Sequence, residues 1–92
     1  MAWYVYILEN TAGKHYVGST GRDPAIRLSE HNRGTSRWTR AHRPWHLAYS
    51  EECSTKRAAL ARERFLKTGA GRRIAKDLVA WGEDMEESGP VG

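Results

Sequence analysis

The chain has 92 residues, 39% of them hydrophobic, a length that fits one small domain with a modest core better than two. Four of its eleven acidic residues fall at 83–87, so residues 1–82 set fifteen Lys and Arg against seven acids, a net +8 that favours a polyanionic partner, phosphate backbone first. Cys53 is the single cysteine, which excludes a disulfide framework and a cysteine-based zinc site. No apolar run nears the ~20 residues of a bilayer span, and the N-terminus lacks a signal-peptide pattern, so the expected compartment is the cytoplasm with no membrane partner.

Residues 3–8, WYVYIL, are all strand formers, with Tyr4, Tyr6 and Leu8 on one face and Trp3, Val5 and Ile7 on the other. Both faces are apolar enough to be buried. ENTAGK supplies a turn through Asn10 and Gly13, and HYVGST is the returning strand of a hairpin. If Tyr6 pairs with Tyr16 directly or two residues off, both phenols leave the same side of the sheet; a one-residue slip separates them. Asp23 caps and Pro24 opens a helix of about three turns that closes at Gly34, with Arg27 and His31 four apart on one face. Residues 35–44, TSRWTRAHRP, have no period and are expected as a loop, followed by a third strand, WHLAYSEE. Ser54 or Thr55 caps a second helix, KRAALARERFLK, which stops near Gly69–Gly71. RRIAKDLVAW is expected as a short third helix with Ile74, Leu78 and Val79 or Trp81 facing inward, and 83–92 as an acidic, disordered tail outside a single domain at 1–82. The class is α+β, a three-stranded antiparallel sheet flanked by helices.

Several polar groups border apolar faces. Tyr6 and Tyr16 read either as ordinary sheet aromatics or as a pair of aligned phenols, and Arg27 with His31 either as a solvated helix face or as part of a site. Glu63 lies four after Ala59 and three before Leu66, at the edge of the packed stripe; by spacing alone it favours an ion pair with Arg62, Arg64 or Lys67 over a metal. Gly18 marks a bulge or a close approach beside Tyr16. Arg33, Arg37, Arg40, His42 and Arg43 form a basic patch around Trp38, whose indole is suited either to stacking on a splayed base or to plugging the core, whereas Trp45 belongs to the core.

The order of these segments, YVY, then YVG, then RLSEHN, then RERFLK, resembles the GIY-YIG nuclease family, in particular its small stand-alone bacterial members. RPWHLAYSEE and RERFLKTGAGRR extend the similarity from about Trp3 to Leu78. Val5 and Tyr6 match the end of the first motif, with Tyr4 where its name expects glycine, and Tyr16, Val17 and Gly18 match the second. Arg27 matches the catalytic arginine and His31 the histidine one turn later, although the loop before Arg27 is one residue longer than usual. Arg22, ahead of the helix cap, is the lesser candidate. Glu63 matches the metal-binding glutamate.

The resemblance implies a one-metal endonuclease using Mg²⁺ or Mn²⁺, with Glu63 holding the ion. It implies a tyrosine, Tyr6 ahead of Tyr16, as general base toward water, with the other tyrosine holding the phosphate or relaying the proton, and Arg27 as the catalytic arginine. A phenol with an ordinary pKa near 10 needs positive charge nearby to lose its proton at neutral pH, which Arg27, the metal and His31 are expected to give. DNA is the expected substrate ahead of RNA, selected by backbone and shape more than by sequence, in repair or recombination; no base-reading helix is evident. The rival readings are a binding module that does not cut, a nuclease subunit that depends on a protein partner for its target, and a purely structural interaction protein, which the charge asymmetry disfavours.

Overall fold

The computed structural model describes residues 2–88, with side chains as far as residue 80. β1 (Trp3–Asn10) lies at the centre of an antiparallel sheet of order β2-β1-β3, with β2 (His15–Thr20) on one side and β3 (Trp45–Cys53) on the other. A central strand must bury both faces, which is why WYVYIL is apolar without alternation. The β1–β2 hairpin is organised by Asn10, whose Oδ1 accepts from the Ala12 and Lys14 amides at 3.1 and 2.8 Å, while Gly13 takes the positive φ of 79° that the turn requires. Its register pairs Tyr6 with Gly18 and Leu8 with Tyr16, so the two tyrosines are diagonal neighbours on one face, one of the two arrangements that the alternation allows. On the other side the β1–β3 pairing shifts at Ile7/Leu8, where Ala48 is the extra residue of a bulge.

The two faces of the sheet are covered unequally. Val5, Ile7 and Val17 pack against Ala59 and Leu66 of α3 (Lys56–Leu66) and Ala75 and Val79 of α4 (Gly69–Ser88), the larger of the two apolar clusters. The opposite face holds Tyr6, Leu8 and Trp45, with Tyr16, Leu28 and Leu47 beside them, under α1 (Pro24–Arg33) and α2 (Arg37–Ala41). It is this smaller cluster that admits polar groups, His31 and Thr39 being fully buried in it. Among the described residues no helix is long and apolar enough to cross a membrane.

The first helix is bounded as its residues dictate: Asp23 accepts from the Ala25 amide at 2.9 Å, Pro24 opens α1, and Gly34 closes it with a φ of 93°. Thr55, not Ser54, caps α3 by accepting from the Ala58 amide at 3.1 Å. Three expectations need correction. The segment 35–44 contains α2, a five-residue helix too short to show a period and pinned by the Trp45 indole, whose Nε1–H donates to the Thr39 carbonyl at 2.8 Å. α3 stops at Leu66, close to the glycines as expected, but α4 opens at Gly69, ahead of the expected start at Arg72, because Thr68 Oγ1 accepts from the Gly71 amide at 3.0 Å and so acts as its cap. Finally, Ile74 is exposed and Ala75 faces the core. The phase of α4 is set at Gly71, where a Cβ would collide with the Phe65 carbonyl, so this position must turn toward α3 and carries Ala75, Leu78 and Val79 with it. α4 continues to Ser88, overlapping the first six residues of the expected tail, and 89–92 lie outside the described residues.

Candidate active site

Tyr6 projects from the central strand across β2, and Gly18 makes room for it. A Cβ at Gly18 would strike Tyr6 Oη and lie 2.5 Å from its Cζ and 3.1 Å from Tyr16 Cε2. The β1–β2 register runs without a shift through this pair, so Gly18 is neither bulge nor kink: the close approach it permits is that of the Tyr6 phenol.

Beneath the phenol runs a chain of three hydrogen-bonded groups. Tyr6 Oη is 3.2 Å from His31 Nε2, His31 Nδ1 is 2.9 Å from Thr39 Oγ1, and Thr39 Oγ1 donates to the Ser36 carbonyl at 3.3 Å. A hydroxyl has one proton, and Thr39 gives its own to Ser36; it therefore accepts from His31 Nδ1–H, and the network leaves Nε2 with a free lone pair for the Tyr6 O–H. The electrostatics agree. Burial, and then the charge of Arg27, hold His31 below the ordinary imidazole pKa, so the ring is neutral. Burial raises the pKa of Tyr6; Arg27 opposes this, while Tyr16 and Glu63 add to it. His31 thus offers the phenol a proton acceptor instead of the positive charge expected of it.

Arg27 reaches this centre from α1. Its guanidinium favours the charged form through Tyr6 first, and it is held by Glu30, one turn on, in an ion pair made by Nη1 and Oε1. Arg22 donates to both carboxylate oxygens of Glu30 at 3.1 Å, so Glu30 sits between two arginines, with its pKa lowered chiefly by Arg27. Glu30 was not singled out by sequence, although its three-residue spacing from Arg27 is the signal of such a pair. Thr39 had no signal at all, since its role depends on where α2 places it.

Glu63 approaches from α3 at the β2 edge. Ser19 Oγ donates to its Oε1 at 2.5 Å and Lys67 Nζ to its Oε2 at 2.7 Å, so Lys67 supplies the ion pair that the spacing favours. Among the described residues no three His, Cys, Asp or Glu side chains group as a metal cluster. Glu63 with the Ser19 hydroxyl is nonetheless a hard-oxygen pair of the kind that suits Mg²⁺, which keeps most of its waters and takes one or two carboxylates alongside substrate phosphate. Lys67 also lies 5.7 Å from the centroid of the Tyr16 ring, joining the carboxylate to the second tyrosine. Tyr16 is in turn 4.7 Å from His31 and 6.4 Å from Tyr6, centroid to centroid. Tyr6, Tyr16, Arg27, His31 and Glu63 therefore come together around the β2 edge, although they are spread over 58 positions of the chain.

The model of the GIY-YIG catalytic domain matches residues 2–74. The chain belongs to the GIY-YIG family. It is 41% identical over 66 residues to the UPF0213 proteins of Staphylococcus aureus strains Mu3 and N315, a match covering 71% of this chain and 79% of theirs. The solution NMR structure of the UPF0213 protein BH0048 from Bacillus halodurans superposes with a TM-score of 0.52 at 32% identity, covering 88% of this chain and 85% of that one. A GIY-YIG domain implies nuclease activity, with nucleic acid as substrate.

Arg33, Arg37, Arg40 and Arg43 are all exposed, with Arg40 and Arg43 folded over Gly34 at the end of α1. Trp38 is 46% exposed and leans on Tyr16, its ring inclined by 29° at 6.2 Å, with Trp45 behind it at 5.6 Å. Trp45 is the core residue expected, and Trp38 lies half-exposed beside Tyr16.

Proposed function

We propose that the protein is a divalent-metal-dependent endonuclease that hydrolyses phosphodiester bonds in DNA, choosing its substrate by structure more than by sequence. The observation that carries this reading is the buried Tyr6–His31–Thr39 chain, which ends in a phenol flanked by Arg27 and Glu63. A merely structural tyrosine has no need of an imidazole lone pair held in one tautomer.

In the proposed mechanism Tyr6 Oη accepts a proton from the attacking water while passing its own to His31 Nε2, so that no free tyrosinate forms in a site that disfavours it. Thr39 keeps His31 Nδ1 protonated throughout. Arg27, steadied by Glu30 and Arg22, neutralises charge on the phosphoryl oxygens as it grows. Tyr16 orients the phosphate from the opposite side. Glu63, with Ser19, would hold the cation, which when bound supplies charge neutralisation and assistance to the leaving oxygen. Lys67 is an exposed partner of Glu63, and a surface pair of this kind is weak enough to yield to such an ion. Selection by shape suits the branched and nicked intermediates of repair and recombination.

The test is incubation with labelled single-stranded, duplex, flapped and branched DNA and matching RNA, with Mg²⁺, Mn²⁺ or chelator, beside Glu63→Ala. Metal-dependent cleavage of DNA, lost in the variant, supports the proposal. Salt-sensitive binding without cutting in any lane would replace it with a non-cleaving module or a partner-activated subunit.

A further inference from the structure

A groove of about 680 Å³ opens on the far side of Tyr16 from Tyr6, between β2 and the α3–α4 junction. One wall is aromatic, made by Tyr16 and the exposed indole of Trp38; the rim is cationic, made by Lys67, Arg72, Arg73 and Lys76. Leu66 and Ala75 contribute to an apolar floor, and no carboxylate lines the groove among the described residues. Lys67 already pairs with Glu63, whereas Arg72, Arg73 and Lys76 form no ion pair among the described residues.

We infer that this groove is a binding site for an unpaired nucleotide of the substrate strand, with its base against Trp38 and Tyr16 and its flanking phosphates on Arg72, Arg73 and Lys76. The inference rests on the nucleic-acid reading of the adjoining site and narrows it to strands with an unstacked base beside the cut. The volume is within the range of small-ligand pockets, about 300–1,000 Å³. An indole and a phenol recognise a base by its face, and in a duplex both faces are covered by neighbouring pairs; only a single-stranded, flapped or bulged segment offers one. Tyr16 belongs to both sites, its ring 4.7 Å from His31, so the base in the groove is adjacent to the phosphate under attack. The basic residues of α4 thereby take the position that the sequence pattern reserved for Arg33, Arg37, Arg40 and Arg43.

Binding can be read apart from chemistry by fluorescence anisotropy in chelator, using a labelled single-stranded oligonucleotide, the matched duplex, and the same single strand carrying abasic positions. Trp38→Ala is expected to weaken single-strand binding about tenfold, to leave duplex binding unchanged, and to be restored largely by Trp38→Phe. The double change Arg72→Ala with Arg73→Ala, at two exposed positions, should lower the salt slope of single-strand binding by about 1 to 2, while Arg33→Ala with Arg37→Ala changes it less. Abasic strands should bind the wild-type protein as weakly as intact strands bind Trp38→Ala. Equal losses on duplex and single strand, or single-strand binding indifferent to both Trp38 and the Arg72–Arg73 pair, would overturn the inference. If that indifference accompanied normal metal-dependent cleavage, only the groove assignment would fall. Absence of any nucleic-acid binding would remove both readings.

Discussion

Replacing Thr39 by valine keeps the branched shape and exchanges one hydroxyl for a methyl, at a position with no solvent to compensate. The His31 Nδ1–H then loses its acceptor at 2.9 Å, and the Ser36 carbonyl loses a longer, weaker bond at 3.3 Å. Leaving one buried donor unpaired costs about 1–3 kcal/mol. In a domain of this size each kcal/mol moves the midpoint by about 4–8 °C, so thermal unfolding is expected roughly 4 to 24 °C lower. Cleavage assayed below that transition should also fall, by about tenfold, a part of the ~10²–10⁴ that a positioned proton-transfer group supplies, because His31 no longer prefers the tautomer that exposes Nε2 to Tyr6. Thr39→Ser, which keeps the hydroxyl, should recover most of both losses. Circular-dichroism melts and single-turnover cleavage on the three proteins decide the matter. A valine variant that melts and cuts like wild type would refute the tautomer argument, and so would a serine variant as impaired as valine.

Two further outcomes follow from the same cluster. Gly18→Ala places a methyl against Tyr6 Oη and 2.5 Å from Cζ, an overpacking that should cost about 1–3 kcal/mol and displace the phenol from His31; denaturant unfolding and cleavage should both suffer, and an alanine variant normal in both would contradict the packing. Because His31 is held neutral below the ordinary imidazole pKa, the unfolded chain binds a proton that the folded chain refuses as pH falls below ~6.5. Stability should therefore decline on acidification through that window, by up to about 1.4 kcal/mol per pH unit from this group, and be unaffected by it at higher pH. Urea midpoints at about pH 7.5 and about pH 5.5 should differ more for wild type than for His31→Gln, and equal differences would sink the assignment.

Much of the frame was readable from residues that act locally. Asp23 with Pro24 and Gly34 bound α1 by rules that need no tertiary context, and alternation along WYVYIL puts Tyr6 and Tyr16 on one face once the hairpin register is even. What escaped was set by contact between distant segments. α2 exists because the Trp45 indole and His31 hold Thr39, and five residues carry no period to announce it. The phase of α4 follows from the seat of Gly71 against Phe65, which outranks the apolar character of Ile74. The acid that pairs with Arg27 was one turn away, but spacing alone does not tell a surface pair from one that holds an arginine against Tyr6. The cationic rim of the groove beside Tyr16 lies outside the arginine run at 33–43 and comes from the α3–α4 region, a juxtaposition that spacing along the chain does not announce.

In the proposed reaction Tyr6, relayed to His31, moves the proton of the attacking water. The most direct measurement is single-turnover cleavage by Tyr6→Phe against wild type, at saturating protein, on whichever DNA the wild-type protein cuts fastest, with binding measured in parallel. The expected rate is at least about 100-fold lower with binding unchanged, since a phenylalanine keeps the ring over Gly18 and removes only the hydroxyl. Cleavage by Tyr6→Phe at the wild-type rate would rule out the phenol as the proton acceptor.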